Sequence, residues 1–392
     1  MKYLSVETIS RGIPQLILLY LMIILNSNAF SIFILIYAIE SFIVLLLPTN
    51  YVETLYAKNK FNISSIIVNM LIVTFIIIIS LLTLLLIFRN NIFSFFNYDG
   101  LLVYISILFS AFFNSFFRFK RILLQLDFLH EEAINLMFKS FFVSNLFSIM
   151  FLILIDDKIF GFFVGKSLGV ILFGIYYLLK QKIKLSLDLD VIRYFMNTNK
   201  YLFFYAIFSW VLGYGFLYIA KVISTEEEVA IIGYIIVLSM PFLLISNAIN
   251  QLYIPKIKAM ITNNSENVVN VTKIFFKWYI YIFFISICFF WIVFSLDIEY
   301  IYKFKLAFLL SILIFLFSII KYLLDIYIFS NGFFYEYIKV TIFFELIMML
   351  LIIIFTYLIN EKLIVYMYPL LTLVRSLSVI YIVKSKHLLG RL

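Results

Sequence analysis

The chain has 392 residues, of which 65% are apolar, 20% aromatic and only 13% charged. Soluble domains are about half apolar and about a quarter charged, so this composition excludes an ordinary soluble globular protein. The formal net charge of +9 does not indicate nucleic-acid binding, because Lys and Arg are scattered between apolar segments and form no dense run. The chain is expected to be a polytopic membrane protein without a nucleic-acid partner.

Apolar runs of bilayer-spanning length, separated by charges and turn residues, predict an all-α fold. A run of about 20 apolar residues satisfies its backbone hydrogen bonds in a bilayer by forming a helix. The runs predict about twelve transmembrane helices. Their approximate spans are 10–26, 29–50, 63–88, 101–121, 132–155, 159–180, 199–220, 229–252, 273–295, 304–329, 338–359 and 363–383.

The longest connections predict a division into two lobes. The segment 180–200 is rich in Lys and Asp and lies at the midpoint of the chain. Segments 36–59 and 235–259 also resemble each other weakly, since each runs from an apolar helix through Asn to an end bearing Tyr and Lys. Repeats of this kind are common in transporters. We therefore predict two six-helix lobes, residues 1–195 and 196–392.

The distribution of Lys and Arg predicts the orientation. With the N-terminus in the cytoplasm, twenty of these residues lie in cytoplasmic segments. Only six fall outside, namely Arg89, Lys158, Lys221, Lys303, Lys305 and Lys362. Cytoplasmic segments carry the excess of Lys and Arg in membrane proteins, so both termini are expected inside.

Several polar and charged residues of the first lobe fall inside predicted spans. A charge at the bilayer centre costs about 2.5–3.5 kcal/mol on insertion scales, so each needs a physical reason. Ser106, Ser110, Asn114 and Arg118 recur at every fourth residue and share one helix face. We predict a cationic interior, with structural pairing or snorkelling left open for Lys139 and Lys166. Its residues are Glu40, Asn114, Arg118, Asn135, Lys139 and Lys166.

The second lobe carries a more balanced set of charges. Lys321 and Asp325 stand one helical turn apart and can neutralise each other. Glu345 and Arg375 lie deep in the last two predicted spans. These two residues are interpreted either as an interhelical ion pair or as part of substrate binding or proton coupling, and both alternatives stay open.

Two further patterns bear on packing and on chemistry. Gly161, Gly165 and Gly169 form a face of small residues, which predicts close approach of another helix. No P-loop and no paired-cysteine pattern occurs, and His130 and His387 have no ligand spacing. We therefore expect no catalytic residue, no metal and no cofactor.

The segment 209–257 resembles the seventh and eighth helices of Wzx-type polysaccharide flippases. These belong to the multidrug/oligosaccharidyl-lipid/polysaccharide (MOP) exporter superfamily. The resemblance rests on a short external turn with Glu-Glu-Val, an apolar helix, and a polar turn with Pro. The matching residues are Glu227, Glu228, Val229, Asn250, Gln251 and Pro255, with Ser10, Arg11 and Gly12 near the start.

This resemblance implies a MATE-like fold and a transport function without enzymatic activity. The implied substrate is an undecaprenyl-pyrophosphate-linked oligosaccharide repeat unit, moved from the cytoplasmic to the external leaflet for O-antigen or capsule synthesis. The implied location is the bacterial inner membrane. Membrane lipid, and the polymerase and chain-length regulator of the same pathway, are the further partners considered.

Three other functions compete with this interpretation. A cation-coupled drug or small-solute exporter of the same superfamily would use Glu40, Asp325 or Glu345 for coupling. An O-antigen polymerase usually needs a large external loop, whereas the longest outer connection here, 89–100, is short. A structural or assembly protein would not need so many ionisable groups within its spans.

Overall fold

The computed structural model describes residues 2–48, 63–126, 129–180, 187–242, 304–330 and 334–385, with single residues between 273 and 295. The regular structure of this part of the chain is helical. Eight helices among the described residues are long and apolar enough to cross a membrane. The chain is therefore an all-α, multi-pass membrane protein, as its composition predicts.

The described helices before residue 225 are α1 (Lys2–Ile24), α2 (Ser27–Leu46), α3 (Ile63–Ile87), α4 (Arg89–Phe96), α5 (Leu101–Leu126), α6 (His130–Leu154), α7 (Lys158–Lys180), α8 (Leu189–Leu212) and α9 (Phe216–Ile223). Helix α10 is described over 226–242. The last three are α11 (Lys305–Ser330), α12 (Phe334–Leu358) and α13 (Leu363–Ser385). Most ends agree with the predicted spans to within a few residues. Most of the predicted ninth span lies outside the described residues.

The predicted seventh span, 199–220, differs most from the structure. Helix α8 begins earlier, at Leu189, because the Asp188 carboxylate accepts hydrogen bonds from the backbone amides of Asp190 and Val191. Asn69 of α3 fixes this cap, since its Oδ1 accepts the Asp188 amide at 2.7 Å. The helix then ends at Leu212, and α9 starts only after the turn 213–215. A count of apolar residues finds neither the polar start nor the break.

The chain divides into two compact units. Unit 1 contains Met1–Ile17 and Ile32–Tyr214, and unit 2 contains Leu18–Ser31 and Gly215–Leu392. Helix α8 thus belongs to unit 1, while the tip of the first helical hairpin belongs to unit 2. The lobes 1–195 and 196–392 stay a prediction.

Close packing of α6 against α7 shapes unit 1. A Cβ atom on Gly161, Gly165 or Gly169 would lie 2.7–2.8 Å from a carbonyl oxygen of α6, so only glycine permits this approach. The facing side of α6 is also made of small residues, which recur at every fourth position and are buried. They are Ser140, Ser144 and Ser148. The glycine pattern therefore has the packing role expected from the sequence.

Polar contacts join the segment before α5 to the start of α7, at the end of unit 1 that is predicted to be external. Tyr98 donates its hydroxyl to Asp157 Oδ2 at 2.9 Å. Asp157 Oδ1 accepts the amides of Ile159 and Phe160 at the start of α7. Burial, followed by the bond to Asp157, raises the pKa of Tyr98 above its ordinary value. The phenol therefore remains a donor at neutral pH.

Helix α13 packs against α11 and α12 in unit 2, and hydroxyl groups bridge the helices. Ser376 donates its hydroxyl to the Phe317 carbonyl of α11 at 2.5 Å. Thr341 of α12 and Ser378 of α13 are buried, and their hydroxyl oxygens lie 3.3 Å apart. Such bonds are favourable between membrane helices, where water is not an alternative partner.

Candidate functional site

Glu40 of α2 and Lys166 of α7 form an ion pair inside unit 1. Lys166 Nζ lies 2.6 Å from Glu40 Oε1, so the contact is a charge-assisted hydrogen bond. At 1.5 Å per residue, Glu40 lies about 20 Å from the start of α2 and Lys166 about 12 Å from the start of α7. Both are thus well within a hydrocarbon core of about 30 Å. Two residues predicted for the cationic interior meet here at membrane depth.

The two partners of this pair differ in accessibility. The Glu40 side chain is 9% exposed, whereas 24% of the Lys166 side chain remains accessible. Glu40 Oε2 is buried and has no hydrogen-bond partner among the described residues. A carboxylate can accept about four hydrogen bonds, so this one is only partly satisfied. Lys166 is therefore the more exposed member of the pair.

Aromatic rings surround the Lys166 ammonium. Its Nζ lies 5.8 Å from the ring centroid of Tyr37 and 5.5 Å from that of Phe162. Contacts at this distance stabilise a cation over the negative face of the ring. Tyr37 in turn packs edge-on against Tyr214, with 5.9 Å between the ring centroids. Three aromatic residues thus extend the site from α2 and α7 to the turn after α8.

Trp210 of α8 fixes the same part of α2. Its indole Nε1 donates to Ser41 Oγ at 2.8 Å and lies 3.3 Å from the Ala38 carbonyl. Its ring lies 4.5 Å from that of Phe42. These contacts position α2 on both sides of Glu40. We name the cluster of Glu40, Lys166, Tyr37, Trp210 and Tyr214 the unit 1 site.

The sequence analysis missed the aromatic members of this site. Tyr37 precedes Glu40 by about one helical turn, which was a usable signal for a shared face. Trp210 and Tyr214 belong to a distant segment, and nothing in their spacing connects them with Glu40. Their role follows only from the tertiary structure.

Two of the four polar residues that share one face of α5 form hydrogen bonds within their own helix. Ser106 and Ser110 donate to the carbonyls of Val103 and Ile107. Asn114 and Arg118 are half-buried. The structure shows no hydrogen bond from either residue to Glu40 or Lys166. Their role in an interior binding surface stays a prediction.

Asn135 and Lys139 lie on an exposed strip of α6. The strip is otherwise apolar, since Phe138 is 46% and Phe142 53% exposed, and their rings stack 6.1 Å apart. Lys139 forms no ion pair with the described residues. The structure does not bring either residue to the unit 1 site, although the sequence analysis grouped all of them together.

Glu345 of α12 and Arg375 of α13 form an ion pair in unit 2 through Oε1 and Nε. Glu345 is almost fully buried, with 2% of its surface exposed. The structure thus brings together the two residues that the sequence analysis paired. Lys321 and Asp325 both lie within α11, but their side chains are outside what the structure describes.

The three glutamates of the turn before α10 are placed differently from one another. Glu226 pairs with Lys221 of α9, with 2.6 Å between Oε1 and Nζ. Glu227 is exposed, and Glu228 is buried. This turn lies in unit 2, so it adds nothing to the unit 1 site.

The described residues contain no group of His, Cys, Asp and Glu suited to hold a metal ion.

No family model and no curated protein matches the chain. Several solved structures have a similar fold. A lipid II flippase, MurJ, in an inward closed conformation is 13% identical, with a TM-score of 0.72 over 97% of this chain and 87% of that one. An inward-facing multidrug resistance MATE family transporter of the MOP superfamily is 14% identical, with a TM-score of 0.63 over 95% and 92%.

A third neighbour is a MOP superfamily transporter from Pyrococcus furiosus, whose binding pocket is described as having reversed polarity. It is 12% identical, with a TM-score of 0.61 over 98% of this chain and 95% of that one. Identity at this level shows the fold alone, but the coverage of both chains is nearly complete. The protein therefore has the MATE-like fold of the MOP superfamily transporters.

Proposed function

We propose that the chain is a flippase for undecaprenyl-pyrophosphate-linked oligosaccharide repeat units. It moves them from the cytoplasmic to the external leaflet by alternating access, for O-antigen or capsule synthesis. The observation that carries this proposal is the position of Lys166 in the unit 1 site, at membrane depth and with a partly exposed side chain. A pyrophosphate group needs such a cation wherever it leaves water.

The pairing of Lys166 suits a site that is alternately empty and occupied. A cation alone at this depth would be costly, and Glu40 neutralises it while no substrate is bound. Substrate phosphate would then replace the carboxylate as the partner of the ammonium group. The partial exposure of the Lys166 side chain supports this exchange.

The aromatic residues of the site suit the sugar part of the substrate. Tyr37 and Trp210 combine an apolar ring face with a polar group, a combination common where one side of a ligand is polar and the other is not. The lipid tail would remain in the bilayer, so only the head group and sugars need a polar path. In this function the chain is a carrier in the bacterial inner membrane and not an enzyme.

The substrate implies further partners in the same pathway. Glycosyltransferases would supply the completed lipid-linked unit, and the polymerase and chain-length regulator would use it on the external face. Membrane lipid surrounds the helices throughout. No cofactor is required by this proposal.

A second candidate is a cation-coupled exporter of drugs or small solutes with the same fold. One observation favours it: Glu40 Oε2 is buried and lacks a hydrogen-bond partner among the described residues. Such an oxygen can accept a proton or a small cation. In that case Glu40 would be the essential residue of the pair, and lipid-linked sugars would not be substrates.

The test is the distribution of lipid-linked repeat units between the two leaflets in a deletion strain. Without the protein, completed units should accumulate on the cytoplasmic face and surface polymer should disappear. The Glu40→Gln/Lys166→Met variant, which leaves no unpaired charge, should fail to restore transport. The matched control is Arg193→Gln, since Arg193 is exposed and pairs weakly with Asp190 at 4.0 Å.

Three results would contradict the proposal. Normal distribution of the units in the deletion strain would exclude flipping. Single units on the external face without polymer would identify the chain as a polymerase. Loss of drug resistance with normal polymer would favour the exporter.

A further inference from the structure

Arg121 of α5 carries a charge that the described fold does not neutralise. Its Nη1 lies 3.4 Å from the sulfur of Met137, and its Nε is buried without a hydrogen-bond partner among the described residues. A thioether is a weak acceptor, whereas a guanidinium offers five donors. The side chain is therefore far from satisfied by the contacts that hold it.

Buried apolar residues of α5 flank Arg121 in the part of the chain that the structure describes. Phe117 and Leu124, one turn before and one turn after it, belong to the buried cluster that joins α5, α6 and α7. Glu131 and Glu132 in the first turn of α6 are exposed and form no ion pair with Arg121. Arginine stays protonated at any physiological pH, so this charge persists.

Its depth matches that of lipid phosphates. Arg121 precedes the last residue of α5 by five positions, or about 8 Å along the helix. This end is predicted to be cytoplasmic, so Arg121 lies near the boundary between hydrocarbon and head groups. Arg118 is half-buried one turn earlier on α5, and side chains three residues apart are neighbours.

Arg121 and Lys166 cannot hold the same phosphate. Phe117 of α5 contacts Phe173 and Tyr177 of α7, with ring centroids 5.2 Å and 6.3 Å apart, which fixes the register of these helices. Arg121 lies one turn beyond Phe117, and Lys166 lies two to three turns before this level on α7. The two cations are thus separated by roughly 20 Å along the bundle.

We infer that Arg121 binds a phosphate of the diphosphate head group at the cytoplasmic surface, before that group reaches Lys166. This inference rests on the proposed function. A guanidinium matches phosphate because two parallel hydrogen bonds form at once. Such a ligand supplies the strong acceptors that Met137 lacks. The substrate would therefore occupy two successive positions in unit 1.

The experiment measures binding of geranylgeranyl diphosphate to the full chain in lipid nanodiscs. It uses the Glu40→Gln/Lys166→Met background, so that binding at the unit 1 site does not hide binding at Arg121. Adding Arg121→Gln should weaken binding about tenfold or more, as expected for one charge-assisted phosphate contact. Arg121→Lys should lose less, and the exposed control Arg193→Gln should change nothing.

Comparison ligands identify the chemistry. Inorganic diphosphate should compete weakly and geranylgeraniol not at all, because the site takes a phosphate attached to a lipid. Phosphatidylglycerol should not compete at equal concentration; equal competition would make this an ordinary phospholipid site and overturn the inference. Arg121→Met keeps an apolar contact with Met137 and serves as the second variant if Arg121→Gln does not fold.

The remaining outcomes separate the two proposals. If the wild type binds the diphosphate but the background variant does not, or if Arg121→Gln binds as tightly as the background, the inference is wrong and the flippase proposal stands. If the wild type itself does not bind any polyprenyl diphosphate, the proposed function fails and this inference fails with it.

Discussion

Units 1 and 2 each hold an ion pair between membrane-spanning helices, but the two pairs differ in their surroundings. In unit 2, Glu345 and Arg375 link α12 and α13, which follow each other in the chain. Thr341 and Ser378 bridge the same two helices about one turn away. In unit 1, Glu40 and Lys166 are 126 residues apart, and the pair is surrounded by aromatic rings.

The difference indicates different roles. A buried pair contributes little net stability compared with well-packed apolar residues, so its presence alone does not reveal function. The unit 2 pair continues a series of hydroxyl contacts and fits a role in helix packing. The unit 1 pair leaves the Glu40 Oε2 atom without a hydrogen-bond partner among the described residues. The exposure of the cations does not separate the two pairs, since 24% of the Lys166 side chain and 20% of the Arg375 side chain are exposed. We therefore propose a packing role for the unit 2 pair and a ligand-binding role for the unit 1 pair.

Removing only the arginine of the unit 2 pair should have the strongest effect on stability. Arg375→Met leaves Glu345 buried without its partner, and this should destabilise the protein by about 3–5 kcal/mol. The Glu345→Gln/Arg375→Met variant removes both charges and should recover most of that loss. Thermal unfolding in detergent measures the stability of both variants.

The corresponding double replacements in the two units should differ in their effect on transport. Glu345→Gln/Arg375→Met should retain transport, whereas Glu40→Gln/Lys166→Met should fold equally well and lose it. If the unit 2 double variant folds but does not transport, both pairs take part in function and our distinction is wrong.

The next effect concerns the packing that positions Lys166. A Cβ atom on Gly165 would lie 2.7 Å from the Phe147 carbonyl oxygen and from Phe151 Cβ, so Gly165→Ala must push α7 away from α6. We expect a loss of about 1–3 kcal/mol in the free energy of unfolding, as for other overpacked sites. Transport should fall as well, because Lys166 is the next residue of α7.

Gly12→Ala is the matched control, since a Cβ atom at Gly12 would meet nothing within 4 Å. It should not lower the unfolding temperature, because Ala favours a helix more than Gly does, and it should leave transport unchanged. Equal effects of the two substitutions would mean that close packing of α6 and α7 does not determine the position of Lys166.

Hydropathy predicted most helices because a bilayer demands long apolar segments whatever the tertiary structure is. The start of α8 escaped this method because it depends on the Asp188 cap and on Asn69, both polar. The break at 213–215 escaped it because the residues around the turn are as apolar as a continuous helix.

The site was only partly predictable for a related reason. A charge within an apolar run is visible in the sequence, so Glu40, Lys166, Glu345 and Arg375 were identified as unusual. The direction in which a side chain points is not visible unless the helix face is known. Lys139 and Lys166 therefore looked equivalent, although one is exposed on α6 and the other pairs with Glu40.

The smallest expected effect distinguishes these two lysines. Lys139 lies on the exposed, apolar strip of α6, where its long side chain can extend toward the head groups. Lys139→Gln should therefore change the unfolding temperature little and leave transport near the wild-type level, measured by surface polymer in the complemented deletion strain. A loss as large as that of the Glu40→Gln/Lys166→Met variant would return Lys139 to the substrate path. It would also mean that the exposed strip of α6 faces the substrate and not lipid, because only a contact with the anionic head group would make this charge indispensable.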